Sequence, residues 1–149
     1  FTAVAGSSAY IEQSFITYSN ASKSSLVGVD AEIIERFGAV SAQTVCQMAS
    51  GVRKVAGATY GLGVSGIAGP GGGTPEKPVG TVHFALATPQ GTYHRQVLLS
   101  GRSREQVRQA SVYIAASLLL WTLQGDEMGE RPVSGPYSED EVWAARGIS

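Results

Sequence analysis

Cysteine is nearly missing from this sequence: Cys46 is the one example in 149 residues. A lone thiol excludes an intrachain disulfide and fits a reducing compartment. Its surroundings, "SAQTVCQMASGV", read as an apolar helix, so Cys46 is expected to be a packed thiol rather than a reactive one. Histidine is scarce as well. His83 and His94 do not stand in metal-ligand spacing, so no metal and no zinc site is expected. Neither sign of charge is in excess, with 11 Lys and Arg against 12 Asp and Glu. Without a cationic surplus to neutralise phosphates, general nucleic-acid binding is excluded. Long apolar runs are lacking too. The longest, Val112 to Trp121, is roughly half of the ~20 residues that a membrane helix needs, and no charged-then-apolar leader opens the chain. A cytoplasmic protein without a membrane partner is the expectation. Phe1 stands first, and the opening residues read as mid-domain, so the sequence is expected to be a piece of a longer chain.

What is present suits one folded domain, since 43% hydrophobic and 15% charged residues fit a globule rather than a disordered chain. "AYIEQSFITYS" (Ala9 to Ser19) mixes aromatic and β-branched residues and predicts a strand. "DAEIIERFG" predicts a short helix capped by Asp30 and stopped by Gly38. In "SAQTVCQMASGVRKVAG", Ser41 caps a second helix, Val45, Met48, Ala49 and Val52 form its stripe, and Gly57 ends it. "ATYGLGVSGI" predicts a buried strand. "GTVHFALATPQGTYHRQVLLS" predicts a hairpin joined at Pro89-Gln90-Gly91. Val82, Phe84 and Leu86 share one face there, and His83 and His94 are expected to be surface or sheet-edge residues. Arg102 to Leu123 predicts the long helix, whose apolar second half needs cover from the sheet or from another subunit. A homo-oligomer, a dimer or larger, is therefore expected. Residues 125–149 read as an acidic tail, mobile or docking, with one short helix near "SEDEVWAAR", behind a domain at 1–124. The element order predicts an α/β fold, a three-layer α/β/α sandwich with a mixed β-sheet.

Three polar clusters fall at element ends. The segment from Val64 to Gly80, "VSGIAGPGGGTPEKPVG", is rich in glycine and proline. Its spacing matches neither Gly-x-Ser-x-Gly, nor Walker A, nor the dinucleotide fingerprint. Bare N–H groups in such a loop can cradle an anion, and the loop follows a predicted buried strand, where open α/β sheets gather ligands. By composition alone it also fits a flexible hairpin connector. In "TYSNASK" (Thr17 to Lys23), Lys23 can act as a general base if desolvated, or the stretch is a helix cap followed by a solvated lysine. In "SGRSREQVRQ", arginines at a helix start suit an anion, or they are ordinary surface residues. Together the three clusters point toward a small anionic ligand.

"GSSAY", "TYSNASK", "GAVSAQT", "SGIAGPGGGTPEKPVGTV" and "SGRSREQVR" occur here in the order seen in the CinA C-terminal domain, the bacterial nicotinamide-nucleotide amidohydrolases. The sequence resembles that family from about Phe1 to Trp121. The resemblance implies hydrolysis of the carboxamide of nicotinamide mononucleotide to nicotinate mononucleotide and ammonia, by a serine nucleophile with a nearby lysine and without metal or cofactor. It implies Lys23, Tyr18 and Ser65 as catalytic residues, Ser65 standing where the family has Ser or Thr before Gly-Ile-Ala-Gly-Pro. Asn20, Gly66, Gly69, Gly71, Gly72 and Arg104 are the implied substrate- and phosphate-binding positions. The family's Gly-Asp-Arg segment reads "GRSR" here, one residue longer and without the Asp, so Arg102 competes with Arg104.

The family's nucleophile belongs to an Ala-Glu-Ser-x-Thr-Gly-Gly segment one helix before the Gly-Ser-Ser turn, upstream of Phe1. Two expectations follow. Either the domain is an amidohydrolase whose nucleophile lies in that upstream segment, or it is a catalytically inactive nucleotide-binding or scaffold domain.

Overall fold

The computed structural model describes residues 1–125, and the tail with its expected short helix lies outside the described residues. After a 3-10 turn at Ser7–Ala9 come α1 (Asn20–Val27), α2 (Ala31–Phe37), α3 (Ala42–Ala56), β1 (Gly61–Gly66), β2 (Thr81–Thr88), β3 (Gly91–Leu98) and α4 (Arg104–Leu123). Small polar residues start the helices. The side chains of Ser19, Asp30 and Ser41 accept from the N–H groups of Ser22 (3.0 Å), Glu32 (2.9 Å) and Thr44 (3.2 Å). These bonds satisfy donors that no helical carbonyl reaches. At α4 the bonds are reciprocal: Gln106 N donates to Ser103 Oγ at 3.3 Å, and Ser103 N donates to Gln106 Oε1 at 2.8 Å.

The sheet is antiparallel in the order β1-β2-β3, with Ser65 opposite His83 and Phe84 opposite Arg95. Every residue of the central strand β2 is buried, so alternation delivers its side chains to two covered faces. Val82 and Phe84 join Val97 and Leu99 against Val107, Ile114, Leu118 and Trp121. Ala85 and Ala87 meet Val45 and Ala49 of α3 on the opposite face. The α/β/α sandwich is thus as expected. A third apolar cluster, Val27, Val29 and Ile34 with Phe15, Met48 and Val52, fastens α1 and α2 to α3. No helix among the described residues is long and apolar enough to cross a membrane.

Three expectations need correction. The stretch Ala9–Ser19 is not a strand: it joins no ladder of the sheet, with Phe15 packed inward and Ile16 and Tyr18 exposed. Its β-propensity is spent on packing against α1 and α2, not on a ladder. The sheet is consequently antiparallel among the described residues rather than mixed, because all three strands are joined by hairpin connections. His83 and His94 are buried, because α3 covers the sheet face that carries them.

Helix α3 touches its neighbours backbone to backbone. A Cβ on Gly63 would stand 2.7 Å from Val45 O, and one on Gly61 would overlap Ala49 O. On the side facing α1, a Cβ on Gly51 would overlap the Val27 carbonyl oxygen. In a free helix, Gly51→Ala would gain about 1 kcal/mol from propensity. Here the overlap dominates, and the substitution is expected to cost about 1–3 kcal/mol net by pushing α1 away. Urea denaturation checks this. A midpoint at or above wild type would show that α1 shifts freely.

Candidate active site

Lys23 enters from the first turns of α1, and only 6% of its surface is exposed. Its Nζ donates to Thr17 O at 2.7 Å and to Tyr18 O at 3.4 Å. Both acceptors belong to the segment that precedes the helix, so the stretch expected as a strand serves instead to hold the lysine. Desolvation lowers the Lys23 pKa from the ordinary amine value. Neutral carbonyls orient the group without pairing its charge, and no carboxylate bridges it among the described residues. The Tyr18 ring stands in solvent, 88% exposed. Asn20 lies exposed in the first turn, and Ser19 is the residue that caps.

The turn between α2 and α3 is the second part. Four consecutive carbonyls, Phe37 to Val40, each accept from a side chain. Lys77 Nζ donates to Phe37 O (2.7 Å) and Val40 O (2.8 Å). Ser41 Oγ and Thr44 Oγ1 donate to Gly38 O at 2.9 and 2.8 Å. Ser65 Oγ donates to Ala39 O at 2.7 Å. Gly38 has φ +83°, and a Cβ there would stand 3.4 Å from Lys77 Nζ. A glycine thus lets the turn wrap the ammonium in a conformation that other residues rarely adopt.

The glycine loop, residues 67–80, connects β1 to β2. It is an ordered hairpin connection: Gly80 N donates to Ile67 O at 2.8 Å, and Ile67 N donates to Thr81 O at 2.9 Å. Near its tip Thr74 N donates to Lys77 O (2.9 Å), and Lys77 N donates to Thr74 Oγ1 (3.1 Å). Gly71 and Gly72 are exposed. From the start of α4, Arg104 Nη1 donates to Gly69 O at 2.9 Å. Arg102, one residue before the Ser103 cap, is exposed.

Under the α2–α3 turn lies a histidine pair. His83 Nδ1 and His94 Nε2 are 2.9 Å apart across the β2–β3 ladder. Burial, His94 and Lys77, in that order, push the His83 pKa down to about 4, and burial lowers that of His94. An unfolded chain protonates His83 near pH 6.5 and the fold only near pH 4. The unfolded state therefore binds more protons in that window. Stability held above pH 6.5 is lost as pH falls toward 4. Wild type is expected to lose on the order of 2–3 kcal/mol more than His83→Gln over this window, by denaturant titrations at several pH values. Equal pH slopes would refute the assignment.

The structure thus brings Ser65, Gly66, Gly69, Gly71, Gly72 and Arg104 together around one loop, while Lys23, Tyr18 and Asn20 gather at the start of α1. Sequence reasoning missed Lys77 and the histidine pair. Pro75 and Pro78 around Lys77 signal a fixed turn, but nothing local shows that its side chain crosses to residues 37–40. The histidines reveal burial only once β2 is known to be central.

An α/β/α domain with a desolvated lysine and a tethered glycine loop is the class that these features define. Residues 1–123 match the family described as the CinA C-terminal domain, and the chain belongs to that family. It is 50% identical over 124 residues to a CinA-like protein of Shewanella sediminis, covering 83% of this chain and 29% of that protein. To a CinA-like protein of Desulfosudis oleivorans it is 50% identical over 118 residues, covering 79% and 29%. The chain therefore spans about 29% of the length of these relatives. The crystal structure of the competence/damage inducible protein CihA from Agrobacterium tumefaciens superposes with TM-score 0.76 at 42% identity, covering 78% of this chain and 72% of that one. A CinA superfamily protein from Escherichia coli gives 0.67 at 31% identity, covering 71% and 61%.

Proposed function

We propose that this domain carries the lysine and the nucleotide cradle of an amidohydrolase that converts nicotinamide mononucleotide to nicotinate mononucleotide and ammonia. The observation that carries the reading is Lys23: a buried amine, oriented by two backbone carbonyls, with its neutral form favoured by desolvation. Such an amine is a general base. In this reading it removes the proton from the serine of an Ala-Glu-Ser-x-Thr-Gly-Gly segment upstream of Phe1, and the serine oxygen attacks the carboxamide carbon. Loop N–H groups hold the oxyanion or the phosphate. The Lys23 ammonium then protonates the leaving nitrogen, which departs as ammonia. Water repeats the sequence on the acyl-serine: its proton passes to Lys23 and on to the serine oxygen, and the nicotinate carboxylate is released.

Ser65 fits a positioning role in this scheme, because its hydroxyl donates to Ala39 O and so joins β1 to the α2–α3 turn. Tyr18, whose carbonyl accepts from Lys23, offers an exposed ring for the pyridine, and Arg104, which tethers Gly69 O from the start of α4, supplies the phosphate contact in this reading. In this reading Asn20, Gly66 and Arg102 supply further polar and backbone contacts to the nucleotide.

Ammonia release from nicotinamide mononucleotide tests the reading, using residues 1–149 alone and the same chain preceded by the Ala-Glu-Ser segment. Turnover in the extended form alone supports it. Nucleotide binding without turnover in either form would make this a binding domain, and absence of both would end the proposal. In the active form, Lys23→Ala should lower kcat by about 10²–10⁴-fold with little change in Kd. Activity should also rise with pH through the lowered Lys23 pKa, because the neutral amine is the working form. Arg104→Ala should weaken nucleotide binding by about 1.5–3 kcal/mol in calorimetry. An unchanged Kd would move the phosphate contact to Arg102.

A further inference from the structure

We propose that Lys77 is the positioning residue of the glycine loop: by clamping the Phe37 and Val40 carbonyls, its ammonium fixes the geometry in which the loop receives a nucleotide. The proposal rests on the nucleotide reading above and deepens it. Gly69 to Gly72 lie between two anchors. On one limb Arg104 holds Gly69 O, and on the returning limb Lys77 binds the α2–α3 turn at 2.7 and 2.8 Å. Backbone bonds to Thr74 fix the Lys77 main chain, so the side chain carries loop position into the turn instead of trailing in solvent. The turn is itself rigid, because donors from β1 and α3 occupy the Gly38 and Ala39 carbonyls. Two carbonyl dipoles stabilise the charge where no carboxylate pairs with it among the described residues. Without the ammonium, both carbonyls lose their partner, and the loop keeps one side-chain anchor of the two.

The test replaces the ammonium and then restores it. Lys77→Cys is made in a Cys46→Ala background, and the protein is measured before and after alkylation with 2-bromoethylamine, which rebuilds a lysine-length ammonium on sulfur. Amide hydrogen exchange in residues 38–41 and 67–80 should be at least about tenfold faster in the thiol form and return on aminoethylation, while α4 stays protected. The Kd for nicotinamide mononucleotide should weaken about tenfold and recover in parallel. A role in fold stability alone would accelerate exchange in α4 as well, and that result overturns the proposal. So does unchanged loop exchange, or a constant Kd despite altered exchange. If the thiol form does not stay folded, Lys77→Gln is read by the same exchange and Kd criteria. Failure of the unaltered chain to bind the nucleotide would refute the functional reading instead, and loop exchange alone would then decide whether Lys77 positions the loop.

Discussion

The close approach of α3 to α1 and β1 is the contact on which the arrangement depends. Packed interiors tolerate little change in volume, and at Gly51, Gly61 and Gly63 the space for a side chain is already filled by backbone. The consequence reaches the candidate site from two directions. Through Gly51, α3 sets the height of α1 and hence the position of Lys23. Through Gly61 and Gly63 it sets the distance to β1, which carries Ser65 and leads into the glycine loop. Among the described residues no hydrogen bond joins the lysine cluster to the loop cluster, so this shared helix is their common reference.

The α2–α3 turn adds a polar counterpart. Its carbonyls bind a loop lysine, a strand serine and two hydroxyls of α3, which ties three elements through groups that would otherwise be costly to bury. Burial is the main cause that shifts the histidine pair beneath it toward the neutral form, and the nearby Lys77 charge is the smallest of the contributions at His83.

Local chemistry was legible in the sequence. Asp30, Ser41, Gly38 and Gly57 mark helix ends because capping is decided within a few residues, and the β2–β3 hairpin follows from alternation on either side of a turn. The α/β class follows from the order of elements. Ala9–Ser19 failed as a strand because its aromatic and β-branched residues describe a half-buried extended chain equally well, whether or not a ladder forms. Among the described residues the expected parallel pair is absent with it, and the sheet is antiparallel. His83 was misplaced because a strand's second face is covered by a helix far away in sequence. Lys23 stood out in the sequence as a family position, but its desolvation required the fold, and Lys77 required knowing which loops meet.

The sheet order carries one more consequence. The glycine loop divides the chain into a first part that holds α1 to α3 and β1, and a second that holds β2, β3 and α4. These parts are not separate domains. The first donates one strand to a ladder whose other two belong to the second, and α3 from the first covers Ala85 and Ala87 of the second. A chain cut at the exposed Gly71–Gly72 bond leaves two fragments with matching apolar faces and a six-residue register between them. Two halves separated there keep complementary strand edges and apolar faces, and the cut falls within the glycine loop.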